Sequence, residues 1–337
     1  MPPCAPRRGW TRTDTPLRGV RFAAFDSNVP KFHFPGNGGV EGLKMSMRVV
    51  LAAALLLTLN LAATGDAFAQ KTKTKTDAPT SSSSSAGLID GLDPNDPEDL
   101  GEILDEADAA YFVPEGETPD YKYAFEMYSA AAEAGDAYAM NRVALMYDRG
   151  EFVAQDYKKA FDWYLKSAEA GLPAGQSNVG SMYNVGDGVA QNYAEALYWF
   201  RMAADNGYAY AMYALGDMYL AGNGVAKDAE EATAWYRKAS DAGDANGHWS
   251  LSLRYLYGDG IGKDTQRAAE LAYLALTNGL QIALDEFKDI RNADTSPNYR
   301  RAIQEMLKRD GFYTGTIDGS FGPATQRAIE AAFGSAL

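Results

Sequence analysis

The sequence predicts an all-α protein, an α-solenoid of about five helical hairpins followed by a small helical C-terminal domain. Glycine recurs every 36 residues, and tyrosine, alanine and aliphatic positions keep the same period. A constant period of this length with many matched columns indicates a repeat array and not a single globular core. The recurring glycines are Gly135, Gly171, Gly207, Gly243 and Gly279.

Three segments precede the repeats. Residues 1–44 are rich in Arg, Pro and Gly without periodicity, and we expect them to be an extension that follows from a wrongly assigned start codon. Residues 45–69 have the pattern of a signal peptide, with Arg48, an apolar run and an Ala-x-Ala end at Ala69. Residues 70–98 hold Lys-Thr repeats and a serine run, which predict a disordered linker. We therefore expect a periplasmic protein that is cleaved after Ala69.

Each repeat between residues 99 and 279 predicts two helices, which we call its first and second helix. In the second repeat we expect the first helix over residues 137–148 and the second over residues 157–170. An Asp or Asn, such as Asp156, stands at each N-cap of a second helix. The recurring glycine then closes the second helix in a left-handed conformation. Stacking of the hairpins buries the apolar faces that each would expose alone.

The repeat columns resemble the Sel1-like repeat, a branch of the tetratricopeptide-like superhelices. The resemblance is carried by Ala214–Tyr219, by the loop Gly222–Val225 and by the pair Trp235-Tyr236. It covers about residues 100–279 and implies an adaptor or regulatory role, often in exported bacterial proteins. Some members have disulfides within each repeat, which this chain cannot form because its only cysteine is Cys4.

Solenoids of this kind present their first helices on the concave side, where positions that vary between repeats are candidates for binding. Tyr, Trp and Arg dominate the hot spots of protein interfaces. The candidate protein-binding groove consists of Tyr138, Asn141, Arg142, Asn178, Tyr210, Tyr213, Asn246 and Trp249. The alternative interpretation is that about half of these side chains pack between repeats.

The end of the chain predicts a different unit. Residues 280–298 indicate a capping helix and a linker, and residues 299–337 a peptidoglycan-binding-like domain. The series Tyr313-x-Gly315, Ile317-Asp-Gly319 and Phe321-Gly-Pro323 resembles the peptidoglycan-binding type 1 domain. The resemblance implies that four side chains lie at the loop that meets cell-wall glycopeptide, although core packing by the Phe and turn capping by the Asp are equally open. They are Tyr313, Asp318, Phe321 and Thr325.

The residue inventory argues against catalysis. The formal charge of −14 disfavours nucleic acid as a partner, because phosphate binding needs clustered Lys and Arg. The two histidines, His33 and His248, cannot supply a multi-histidine metal site, and no nucleophile–base pair is evident. We expect no catalytic residue, no metal, no cofactor and no transmembrane segment in the mature chain. For His248 we expect a structural or surface role.

The sequence thus predicts an exported, non-enzymatic adaptor. Its solenoid would bind an unidentified periplasmic protein or peptide, and its C-terminal domain would bind peptidoglycan. One alternative is a peptidoglycan-active enzyme, either a hydrolase or a penicillin-interacting protein. Another is a pure interaction scaffold whose C-terminal domain is only a structural cap.

Overall fold

The computed structural model describes residues 92–114, 116–289 and 295–334, all of which belong to one compact unit of the chain, 86–337. The expected N-terminal extension, signal peptide and most of the linker lie outside these residues. No helix in the described ranges is both long and apolar enough to span a membrane. The helices are α1 (Pro97–Tyr111), α2 (Tyr121–Glu133), α3 (Ala137–Arg149), α4 (Tyr157–Glu169), α5 (Pro173–Val185), α6 (Tyr193–Asp205), α7 (Ala209–Ala221), α8 (Ala229–Asp241), α9 (Ala245–Tyr257), α10 (Thr265–Thr277), α11 (Gln281–Asp289), α12 (Pro297–Arg309) and α13 (Pro323–Phe333).

The helices from α1 to α10 form five consecutive hairpins, which confirms the predicted all-α solenoid. Within each hairpin the two helices pack on each other, and each second helix also packs on the first helix of the next hairpin. The first helices α3 and α5, and likewise α7 and α9, contact each other directly. The first helices therefore share one side of the stack.

The helix ends follow the predicted chemistry. The side chain of Asp156 accepts hydrogen bonds from two backbone N–H groups of α4, and Asn192 and Asp228 do the same for their helices. These contacts satisfy donors that have no partner within the helix. The closing glycines have left-handed φ values, such as 94° at Gly171. Since α3 and α4 span Ala137–Arg149 and Tyr157–Glu169, the expected helix positions are confirmed.

In three of the loops that connect the two helices of a hairpin, a glycine lies against the preceding repeat. A Cβ atom added to Gly188, where φ is 68°, would overlap the carbonyl oxygen of Tyr157 at the start of α4. Gly260 stands in the same relation to Ala229. In the equivalent position of an earlier repeat, Phe152 adopts φ 63° and remains 51% exposed. At Gly188 and Gly260 the close approach of two backbones, together with the dihedral angle, thus requires glycine.

Helices α12 and α13 and the loop between them form the C-terminal module, which packs on α10 and α11. Its core is continuous with that of the last repeat, since Trp249 and Tyr273 belong to the same buried cluster as Tyr299 and Phe333. Phe287 of α11 contacts both the last repeat and the module, because its ring centre lies 6.0 Å from that of Trp249 and 6.2 Å from that of Tyr299. Removing the C-terminal module would therefore uncover the core of the last repeat.

Candidate functional site

The N-terminal part of the predicted groove is largely packed between repeats. Arg142 is 1% exposed, and its guanidinium lies 4.2 Å from the ring centre of Tyr111 and 4.6 Å from that of Phe112. Cation–π contacts of this kind stabilise a charge that has been removed from water. The hydroxyl of Tyr138 donates to Asp108 at 2.8 Å. Arg142 therefore joins the first two hairpins and offers almost no surface to a partner.

Two amides connect the first helices of neighbouring repeats. Asn178 on α5 donates from Nδ2 to Oδ1 of Asn141 on α3 at 2.9 Å. Asn141 is buried, whereas Asn178 is partly exposed. This hydrogen bond shows that the two predicted groove residues face each other across the first-helix surface, and it leaves only Asn178 accessible.

The middle of the predicted groove contains a cluster of tyrosines on α7 and α8. The rings of Tyr210 and Tyr213 lie 5.8 Å apart, and those of Tyr213 and Tyr236 lie 6.1 Å apart. Both Tyr210 and Tyr213 are partly exposed, while Tyr236 is buried. Burial raises the pKa of Tyr210 to about 12. The phenols are therefore neutral hydrogen-bonding groups at physiological pH.

The carboxylate at the centre of this cluster, Asp217, is absent from the residues predicted from sequence. It accepts a hydrogen bond from the hydroxyl of Tyr236 at 2.6 Å and is also hydrogen bonded to Tyr213. Burial raises the pKa of Asp217, and the two phenols lower it in part. The repeat frame contains a signal that could have identified it, because the equivalent positions at multiples of 36 residues are Leu145, Ser181 and Leu253, none of which is charged.

The C-terminal part of the predicted groove contributes one partly exposed residue, Asn246, which is hydrogen bonded to Asp244. Trp249 is 8% exposed and belongs to the core shared with the C-terminal module. His248 is also buried, and its Nδ1 lies 2.8 Å from the hydroxyl of Ser240. Burial lowers the pKa of His248, in keeping with a neutral side chain that joins two helices.

A buried glutamine organises the loop of the C-terminal module. Gln304 on α12 is 0% exposed, and its Oε1 accepts hydrogen bonds from the backbone N–H groups of Asp318 at 3.1 Å and Gly319 at 2.8 Å. Its Nε2 donates to the carbonyl of Ser320 at 3.0 Å and to Oγ1 of Thr325 at 3.1 Å. One side chain therefore satisfies several polar groups that the loop turns inward.

The four residues predicted at this loop divide into two groups. Tyr313, Phe321 and Thr325 are buried, and the hydroxyl of Tyr313 donates to the carbonyl of Thr316 at 2.9 Å. Asp318 is exposed at the tip of the loop, and a hydrogen bond from the backbone N–H of Ser320 lowers its pKa. The structure therefore places three of the four in the packing of the loop and one on its surface.

Among the described residues, no group of three or more His, Cys, Asp or Glu side chains has the arrangement of a metal site. The first-helix surface offers partly exposed tyrosines and amides, and the C-terminal loop exposes the carboxylate of Asp318. Such surfaces suit the binding of a protein or a glycopeptide.

Comparison with known families gives two matches. The Sel1 repeat matches five consecutive segments, residues 107–136, 137–172, 173–208, 209–244 and 245–280. A peptidoglycan binding domain matches residues 296–332. A comparison with curated protein sequences gives no match.

Solved structures with similar folds include three bacterial proteins. A Sel1 repeat protein from Oxalobacter formigenes is 25% identical, with a TM-score of 0.55 over 71% of this chain and 85% of that chain. A protective antigen of uropathogenic Escherichia coli with an SLR fold is 26% identical, with a TM-score of 0.47 over 66% of this chain and 51% of that chain. An immunity protein from Pseudomonas aeruginosa is 21% identical, with a TM-score of 0.47 over 71% and 81% of the two chains.

Proposed function

The chain belongs to the Sel1 repeat family, and on that premise we propose that it is an exported, non-enzymatic adaptor of the bacterial periplasm. Sel1 repeats indicate protein–protein interaction, and the match to a peptidoglycan binding domain indicates an association with the cell wall. In this proposal the solenoid binds a protein or peptide partner and the C-terminal module holds the complex at peptidoglycan.

The observation that carries the partner-binding proposal is the cluster of Tyr210, Tyr213 and Asp217. Two partly exposed phenols surround a desolvated carboxylate on the side of the stack that the first helices share. Tyrosine supplies a large contact area together with a hydrogen-bonding tip, and it loses little conformational entropy on binding. The equivalent position of Asp217 is Leu in two other repeats, so packing of the repeat does not require the carboxylate.

Site-specific photo-cross-linking in the producing cell tests this surface. A photoreactive amino acid at Tyr213 should give one discrete cross-linked protein. The matched control is Tyr198, which is 55% exposed on the second helix α6. Equal cross-linking at the two positions would contradict the proposed groove.

Co-sedimentation with purified sacculi tests the association with the cell wall. We expect residues 70–337 to pellet with sacculi, and Asp318→Asn to weaken the association because it removes the exposed charge at the loop tip. The control is Glu330→Gln, which removes an exposed charge elsewhere in the module. A chain that stays in the supernatant at excess sacculi would overturn this part of the proposal.

Export and the absence of catalysis have separate tests. The precursor should be cleaved after Ala69 and found in the periplasmic fraction, which N-terminal sequencing of the fractionated protein checks. A zymogram with embedded cell wall should show no clearing, and a clearing band would favour the alternative of a peptidoglycan hydrolase.

The continuous core of the last repeat and the C-terminal module favours a second candidate, a scaffold in which the module only caps the solenoid. Open solenoid ends expose apolar surface and need a cap. The buried contacts of Trp249 and Tyr273 with the module meet that need. Wild-type protein that binds its partner but not sacculi would support this candidate.

A further inference from the structure

A polar cleft lies where the last repeat meets the C-terminal module. It is shallow and open to solvent, has a volume of about 260 Å³ and lies between the start of α10 and α12. Its lining consists of Thr265, Gln266, Asn298, Arg301, Ala302 and Glu305. We call it the seam cleft. The repeat contributes the first two of these residues and the module contributes the other four.

The seam cleft presents two opposite charges at a fixed separation. Arg301 and Glu305 are four residues apart on α12, which places their side chains on the same face with Cβ atoms about 6 Å apart. Both side chains are exposed, and Glu305 has no ion-pair partner in the part of the chain that the structure describes. Arg301 donates from Nη1 to Oδ1 of Asn298 at 3.3 Å, so that two residues of the lining are in contact.

The cleft borders the loop that carries the signature of the peptidoglycan-binding domain. A Cβ atom added to Gly319 would lie 2.8 Å from the carbonyl oxygen of Pro297 and 3.2 Å from Cγ of Arg301. The charge of Arg301 also contributes to the lowered pKa of Asp318. The exposed loop tip and the cleft are therefore adjacent, and Arg301 connects them.

We propose that the seam cleft binds the stem peptide of peptidoglycan, so that the last repeat takes part in recognition of the cell wall. Arg301 binds a peptide carboxylate and Glu305 binds an amine, while the amides of Gln266 and Asn298 pair with peptide groups. This inference rests on the proposed association with the cell wall and deepens it.

The chemistry of the lining favours the peptide over the sugar strand. No aromatic ring lines the cleft, so there is no platform for the face of a sugar. A side-by-side cation and anion match the carboxylate and amine of a stem peptide, whereas the repeating disaccharide has no amine.

Binding of soluble fragments to the full mature chain tests the proposal. The probes are a stem peptide with free amine and carboxylate groups, and a peptide-free glycan fragment, both titrated by calorimetry. Arg301→Gln and Glu305→Gln should each weaken stem-peptide binding about tenfold, because each removes one charged hydrogen bond. Gln266→Ala, which lies outside the module, should weaken it about threefold by loss of a neutral hydrogen bond.

The control variants carry the same charge changes away from the cleft. Arg327→Gln and Glu330→Gln alter exposed residues of α13, and neither should change the affinity. Thermal unfolding of every variant verifies that the fold is retained, and Arg301→Lys should restore part of the binding.

The outcomes separate the two proposals. If the chain pellets with sacculi but its affinity for stem peptide is unchanged in Arg301→Gln, Glu305→Gln and Gln266→Ala, the seam cleft is overturned and the association with the wall stands. Binding to the peptide-free glycan and not to the stem peptide would likewise overturn the seam cleft and leave the association with the wall intact. If the chain fails to pellet with sacculi, the proposed function itself fails.

Discussion

In the middle of the solenoid, Tyr210 and Tyr213 keep part of their rings exposed, whereas Tyr313 in the C-terminal loop is buried. The five copies of the repeat allow the positions required by packing to be separated from the positions that vary. The C-terminal module occurs once, so its packing positions cannot be distinguished from its variable positions by comparing copies within the chain. Its signature residues, such as Thr325, hold the loop together and leave Asp318 at the surface.

The two regions also stabilise their loops differently. In the repeats, Gly188 and its equivalents let one backbone approach the preceding repeat without an intervening side chain. In the module, the side chain of Gln304 enters the loop and satisfies its inward-facing polar groups. The repeat loops therefore depend on close backbone contact, and the module loop depends on a buried hydrogen-bond network.

The largest expected loss of stability is that from substitution of the loop glycine in the repeats. Gly188→Ala combines a left-handed φ with an overlap against Tyr157, and it should lower the free energy of unfolding by about 4 kcal/mol. Gly207→Ala shares the left-handed φ but has no atom within 4 Å of the added Cβ, so it should cost only about 1 kcal/mol. Chemical denaturation measures both, and equal losses would show that the contact between backbones is unimportant.

A smaller loss is expected when the network in the module is removed. Gln304→Leu leaves the backbone N–H groups of Asp318 and Gly319 without their acceptor and should cost about 3 kcal/mol. Circular dichroism and urea unfolding would measure the loss, with Glu330→Gln as a control of unchanged stability. Unchanged stability of Gln304→Leu would mean that the loop is held by its apolar contacts alone.

The junction between the two regions should contribute less again. The hydroxyl of Tyr273 in α10 donates to Asp310 of the module at 2.7 Å. The hydrogen bond from Arg309 and, to a smaller extent, that from Tyr273 lower the pKa of Asp310 to about 2. Tyr273→Phe keeps the ring contact with Phe333 and removes only the hydrogen bond from Tyr273, which should cost about 1 kcal/mol. The pKa of Asp310 measured by NMR should rise towards 3.8 in this variant, and no shift would contradict the assigned contact.

The smallest expected effect is the pH dependence of the contribution that Asp217 makes to the free energy of unfolding. Because burial raises its folded-state pKa above 3.8, the carboxyl group favours the folded state when protonated and loses that contribution as pH rises through the folded pKa. The stability of Asp217→Asn relative to wild type should therefore increase from pH 3.5 to pH 7. Urea unfolding at the two pH values tests this, and a constant difference would show that the carboxylate is not desolvated.

Several predictions from the sequence were confirmed because they depend on local chemistry. The Asp and Asn N-caps and the left-handed closing glycines act within a few residues, and their 36-residue spacing positions each helix pair. The accessibility of the predicted groove residues, in contrast, depends on the tertiary structure. Arg142 and Asn178 occupy the same column of the repeat, yet the first is enclosed by aromatic rings of the preceding hairpin and the second is partly exposed.

Periodicity and capping are encoded in short segments, so the sequence predicts the solenoid, its period, the ends of its helices and a distinct C-terminal module. The structure adds which variable side chains remain accessible, that Asp217 accepts a hydrogen bond from Tyr236, and that the last repeat and the module share one core. The shared core consists of side chains that are distant in sequence and meet only when the hairpins and the module pack, and the surroundings of Asp217 depend on the packing of α8 on α7.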